Sequence, residues 1–150
     1  NVVSVDSSDS ALLLARRNWE GNALPSEQGT FEQADMFSYL RETSQRFGLM
    51  ILDPPPFVRR RQDLQAGQKG YKEINLQALR KLAPRGHLLT FSCSQHFSVS
   101  DFSQTVLFAA VDARREVQIL QQLGPAFDHP LNLAHVEGVY LKGLWLRVGD

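Results

Sequence analysis

Apolar residues recur along the chain in two alternating rhythms. Short runs of strand character are "NVVSVD" (1–6), "GTFEQADMF" (29–37), "FGLMIL" (47–52), "HLLTFSC" (87–93), "EVQILQQL" (116–123) and "VYLKGLWLRV" (139–148). Between the first five lie stretches of helical spacing: "SDSALLLARRNWEGN" (8–22), "SYLRETSQRF" (38–47), "YKEINLQALRKL" (71–82) and a segment opened by Ser98. Ser7 or Ser8 can cap the first helix, and Gly21-Asn22 stops it. Tyr71, Ile74, Ala78 and Leu82 form the apolar stripe of the third. Ser98 and Asp101 match a capping box, followed by Phe102, Val106, Ala109, Ala110 and Ala113 on one face. Leu49 to Leu52 is continuously apolar, as expected for a parallel strand covered on both faces, and Pro54, Pro55 and Pro56 end it. Residues 57–70 read as a loop rich in Arg and Gln, and "APRG" (83–86) breaks the third helix from the strand that follows.

Strand–helix alternation of this kind predicts an α/β fold with a mainly parallel sheet and right-handed crossovers. The last strand follows its predecessor through a loop without helical spacing, so it can pair antiparallel. No repeat or linker divides residues 1–150, and one domain is expected.

Composition narrows the function. The chain has 150 residues, 43% hydrophobic and 21% charged, enough for one real core and too few for two comfortable ones. Sixteen basic residues balance sixteen acidic ones, so no global attraction to nucleic acid is signalled, although a local basic mouth is compatible. A single cysteine makes neither an internal disulfide nor a multi-thiolate zinc site, and His87, His96, His129 and His135 lack metal-ligand spacing. No metal and no membrane partner is expected: no apolar run reaches the length of a span, and no basic-then-apolar leader is present. A reduced cytoplasmic setting fits best.

In such sheets ligands bind beyond the carboxyl ends of the strands, where the pattern puts Asp6, Asp35, Asp53 and Cys93. Asp6 can accept ribose hydroxyls or help cap the following helix, and nothing separates the two. Asp35 can meet an adenine amino group, but capping is the simpler account. "DPPPF" (53–57) is more specific. Prolines hold a rigid turn just past a carboxylate, and Phe57 offers a face for a base. Cys93, between Ser92 and Ser94, is balanced between a small buried hydrophobe and a nucleophile whose thiolate a nearby cation or helix terminus would favour. Arg59, Arg60 and Arg61, with Lys69 and Lys72, can hold phosphates or simply be solvated. "DHP" (128–130) and "EGVYLKG" (137–143) define no mechanism. His129 reads as structural and Lys142 as a solvated strand-end lysine.

"VVSVDSSDSALLLARRN", "QADMFSYL", "ILDPPPFV", "KGYKEINLQALRKLAPRGHLLTFSCS", "DHP" and "EGVYLKGLWLRV" together resemble the catalytic domain of class I S-adenosylmethionine-dependent RNA methyltransferases. The resemblance is to the ribosomal RNA large-subunit methyltransferase I group, which makes 5-methylcytosine. It covers nearly the whole chain, in the family's order.

The resemblance implies a Rossmann-like class I methyltransferase sheet, mainly parallel with an antiparallel C-terminal strand, and S-adenosyl-L-methionine as cofactor. Asp6 would bind its ribose, and Asp35 with Met36 would border its adenine. Asp53, Pro54 and Pro55 would line the pocket between cofactor and target base. Cys93 would add to a cytosine of large-subunit ribosomal RNA, the implied partner, and a homodimer is compatible. The family's first strand and glycine-rich loop precede "VVSVD", and its small RNA-binding domain precedes both. This chain begins after all three, so it is expected to be a partial domain of a longer enzyme that alone binds cofactor poorly. The strands ending at Asp6 and Asp53 would then lack their shared neighbour and expose apolar edges. Two alternatives are a non-catalytic RNA-binding or assembly domain, and a related enzyme methylating guanine nitrogen. Cys93 argues against the second, since that chemistry needs no nucleophile.

Overall fold

The computed structural model describes residues 1–135, 138 and 140–150. Ten main elements follow in the predicted order: β1 (Val2–Asp6), α1 (Asp9–Gly21), β2 (Gly29–Gln33), α2 (Met36–Glu42), β3 (Phe47–Leu52), α3 (Leu64–Lys81), β4 (Leu82–Ser92), α4 (Val99–Ala113), β5 (Val117–Leu123) and β6 (Lys142–Val148). They fall into two compact units, Asn1–Thr43 and Ser44–Asp150.

In the first unit β1 and β2 pair in parallel, from Val2 opposite Gly29 to Asp6 opposite Gln33. α1 begins as expected, with Ser8 Oγ accepting from the Ala11 amide, and ends at Asn22. Trp19 sets its edge against Phe31 at 6.1 Å and donates from its indole to the Pro25 carbonyl at 3.0 Å. Gly29 lies beneath that indole. A Cβ there would come within 2.9 Å of Trp19 Cε2, so only glycine allows the strand to start so close.

The second unit holds a four-stranded sheet of order β3-β4-β6-β5. β3 is parallel to β4, and β6 is antiparallel to both β4 and β5, so only the last strand reverses, as the sequence suggested. Tyr71, Ile74, Ala78 and Leu79 of α3 and Phe102, Val106, Ala109 and Ala110 of α4 are buried, with Leu88 of β4 and Leu144, Leu146 and Val148 of β6. Burial of each leucine-sized side chain contributes about 1.5–3 kcal/mol. The two helices pack on each other, tied by Lys72 Nζ to Asp112 Oδ2 at 2.7 Å and by Gln68 Nε2 donating to Thr105 Oγ1 at 3.2 Å.

Several expectations are corrected. β2 stops at Gln33, and Asp35 instead caps α2. α3 begins at Leu64, after a 3-10 turn at Arg61–Asp63, where a loop to residue 70 was expected. Its glycines depress helix propensity, but Gly67 gives α3 its close approach to the Phe57–Val58 backbone. "APRG" does not precede β4 but lies within it as a bulge. Phe47 pairs with Leu82 and Leu49 with His87, and the extra residues include Arg85 at φ 59°. The apolar run of β3 is not covered on both faces: Leu49 and Ile51, two apart and so on the same face, are exposed. β6 begins at Lys142, while Glu137 and Val139, assigned to the last segments from sequence, lie outside the described residues. Asp6 ends a strand of the two-stranded sheet, and Cys93 follows one of the four-stranded sheet.

Candidate active site

In the first unit the parallel register brings Asp6 to the same end of the sheet as the β2–α2 turn. Asp6 Oδ1 accepts from the Ser8 amide at 2.7 Å, and Asp35 Oδ1 accepts from the Ser38 amide at 2.9 Å. Asp35 thus caps α2, whereas Asp6 binds the amide of Ser8, the residue that itself caps α1. A carboxylate has about four acceptor directions, so each exposed group retains capacity for another donor. Met36, half-buried, opens α2 beside Asp35. Two acceptors and a thioether at the carboxyl end of a parallel pair suit the hydroxyls and ring of a nucleoside.

In the second unit the parallel pairing of β3 and β4, with Leu52 opposite Thr90, sets the turn after β3 beside the turn after β4. Asp53 is exposed and Pro54 buried. Cys93, half-buried, points its Sγ at the Pro54 carbonyl at 3.9 Å, a weak thiol contact. Ser94, fully buried, joins the segments. Its Oγ accepts from the Val58 amide at 3.0 Å and shares a 2.8 Å hydrogen bond with the Tyr71 hydroxyl. Its carbonyl accepts from Lys142 Nζ at 2.7 Å and from the Phe97 amide at 3.2 Å. Tyr71 stacks on Phe97 at 5.2 Å and tilts against Phe57 at 4.6 Å. "DPPPF", "GYKEIN" and "FSCS", distant in the chain, therefore meet at one point.

Other expected ligand groups are placed differently. Phe57 is half-buried, one side of its ring taken by Tyr71 and Gly70, which limits the face left for a base. Pro55, Arg59 and Arg60 are exposed, and the Arg60 amide bonds Asp63 at 3.1 Å. Lys72 is drawn into its ion pair with Asp112. Lys142 is not solvated. It is 6% exposed, and burial pushes its pKa below the ordinary lysine value, with the Cys93 thiolate opposing that shift. Strand alternation would have found it: Lys142, Leu144, Leu146 and Val148 lie two apart on the buried face. His129 bonds Asp128 at 3.0 Å on the surface. A cleft of about 320 Å³ between α4 and β5–β6, lined by Val106, Leu107, Val111 and Ile119, contains none of these candidates. Among the described residues no cluster could hold a metal ion, and no helix is long and apolar enough to cross a membrane.

The architecture is that of Rossmann-like methyltransferases. A Streptococcus mutans protein described as a SAM-dependent methyltransferase superposes with a TM-score of 0.80 at 21% identity, over 97% of this chain and 38% of that one. A methyltransferase homologue from Pyrococcus horikoshii gives 0.68 at 18% identity, over 97% and 52%. No family model matches the chain. Sequence is more particular: the chain is a homologue of a segment of ribosomal RNA large subunit methyltransferase I. The Erwinia tasmaniensis protein of that name is 43% identical over 98% of this chain, and the Photobacterium profundum protein 47% identical over 95%. The chain spans 38% and 36% of those relatives.

Proposed function

We propose that residues 1–150 are part of the catalytic domain of an S-adenosylmethionine-dependent methyltransferase that modifies carbon-5 of a cytosine in large-subunit ribosomal RNA. The observation that carries this reading is the convergence of Asp53–Pro54, Tyr71 and Cys93–Ser94 at the carboxyl ends of two parallel strands. The names of the relatives support the ribosomal RNA substrate.

S-adenosylmethionine supplies an electrophilic methyl group when bound. Asp6 would take its ribose hydroxyls, Asp35 and Met36 its adenine, and Asp53 with Pro54 the side facing the base. Carbon-5 of cytosine is a poor nucleophile. Addition of the Cys93 sulfur to carbon-6 would make carbon-5 enamine-like, so that its electron pair would bond the methyl group as the methyl–sulfonium bond breaks and leaves its electrons on the departing thioether sulfur. A base removes the carbon-5 proton, and those electrons restore the ring double bond as the sulfur leaves. Asp53 is the carboxylate at hand to stabilise the protonated ring or receive that proton. Pro55 and Phe57 border the base, and Arg59 and Arg60 hold phosphates of a strand whose target is turned out of the stack.

The test uses the protein carrying this chain, S-adenosylmethionine and ribosomal RNA containing 5-fluorocytosine. Fluorine cannot leave as a proton does, so a covalent protein–RNA adduct is expected, and Cys93→Ala should abolish it. No adduct, or one that persists in Cys93→Ala, sinks the mechanism. Methyl transfer that survives Cys93→Ala would point instead to guanine nitrogen as target.

A further inference from the structure

Lys142 occupies a position that strand periodicity dictates and charge opposes. It opens the buried face of β6, followed there by Leu144, Leu146 and Val148, and a lysine in such company is costly without a partner. The partner is the Ser94 carbonyl, 2.7 Å from Nζ. The register sets Lys142 opposite Ser92. Its backbone thus lies across from the residue before Cys93, and its ammonium binds the carbonyl of the residue after. An ammonium has three donors, so this bond leaves capacity for another neighbour. The Phe97 amide shares the same carbonyl, which fixes the turn from both sides.

We propose that Lys142 is a positioning residue for Cys93: it pins the Cys93–Ser94 turn through the Ser94 carbonyl and supplies the positive charge that balances the cysteine thiolate. This rests on the reading of Cys93 as nucleophile. Among the described residues, the segments bonded to the thiol turn also carry Asp53 after β3, Tyr71 on α3 and, within the turn itself, His96. Asp53 and His96 are exposed, and the Tyr71 hydroxyl is engaged with Ser94. Lys142 is the buried cation of the set, and burial protects its field from screening by salt.

Cys93 is the one cysteine within residues 1–150, so alkylation by iodoacetamide is read on the peptide that carries it, by mass spectrometry of the protein carrying this chain. Alkylation rates would be measured from neutral to alkaline pH for wild type, Lys142→Met, Lys142→Gln and Lys142→Arg. Met is close in shape and removes a buried charge, so the fold is expected to persist, with circular dichroism as the check. Gln keeps a donor for the Ser94 carbonyl without the charge. The Met and Gln variants should react about 3- to 10-fold more slowly near neutrality, with profiles displaced to higher pH, while Arg stays near wild type. Met and Gln profiles that superimpose on wild type overturn the proposal, as does a Gln profile alone that does so. Failure of the nucleophile reading is separate: the alkylation profile would shift while 5-fluorocytosine RNA formed no adduct.

Discussion

Ser94 shows how much one small side chain can organise. Its Oγ satisfies the Val58 amide and the Tyr71 hydroxyl, both away from water. Ser94→Ala leaves the Val58 amide without its acceptor and the Tyr71 hydroxyl without its partner, and is expected to cost about 1–3 kcal/mol of unfolding free energy, measured by urea denaturation. Tyr71→Phe, which keeps the ring stack on Phe97 and leaves Ser94 Oγ its Val58 bond, should cost about 1 kcal/mol or less. An order reversed between the two would mean that the Tyr71 hydroxyl, which also accepts from the Phe57 amide at 3.5 Å, holds the turn more than Ser94 Oγ does. At this scale Asp53 and Cys93 were legible, because a carboxylate before a proline run and a cysteine among serines stand out. Ser94 was not, since a serine's partners lie on other elements. Lys142 was legible in principle, yet its position at a strand end disguised a period-2 placement on the buried face.

The elements themselves were read well from periodicity and caps: Ser8, Asn22 and Ser98 with Asp101 mark helix ends where the residues suggested. The failures share one cause, packing that overrides local preference. α3 starts early although Gly67 and Gly70 disfavour helix, because Gly67 must pass within van der Waals reach of the Phe57–Val58 backbone. A Cβ there would lie 2.7 Å from the Phe57 carbonyl oxygen and strike the Val58 side chain. Gly67→Ala is therefore expected to destabilise by about 1–3 kcal/mol, against the ~1 kcal/mol that helix propensity alone would add. A more stable variant in thermal melts would show that the contact relaxes freely. The bulge at Ala83–Gly86 was likewise hidden: its Pro and Gly read as a breaker, whereas the ladder resumes in register beyond it.

For the whole molecule, equal numbers of acidic and basic residues make net charge a weak guide to stability, and individual buried groups set the pH dependence. Lys142 is the clearest. Its pKa in the folded chain lies below the ordinary 10.5, so between those two values the unfolded chain binds more protons. Stability then rises with pH across that window, and the cost of burying the charge is largest below it. The unfolding free energy of wild type minus that of Lys142→Met should increase as pH is raised from neutral towards 10.5. A constant or falling difference would mean that the ammonium is fully compensated where it sits. The hydrogen bonds that tie Ser94 to Tyr71, Val58 and Lys142 span 23 to 48 residues of sequence. Contacts of such separation incur loop-closure entropy before they return anything, and they require β3, β4 and β6 to be aligned already. The thiol turn is therefore expected to form late: in stopped-flow kinetics Ser94→Ala should raise the unfolding rate and leave the folding rate nearly unchanged, so that its chemistry is free to vary without slowing the route to the fold.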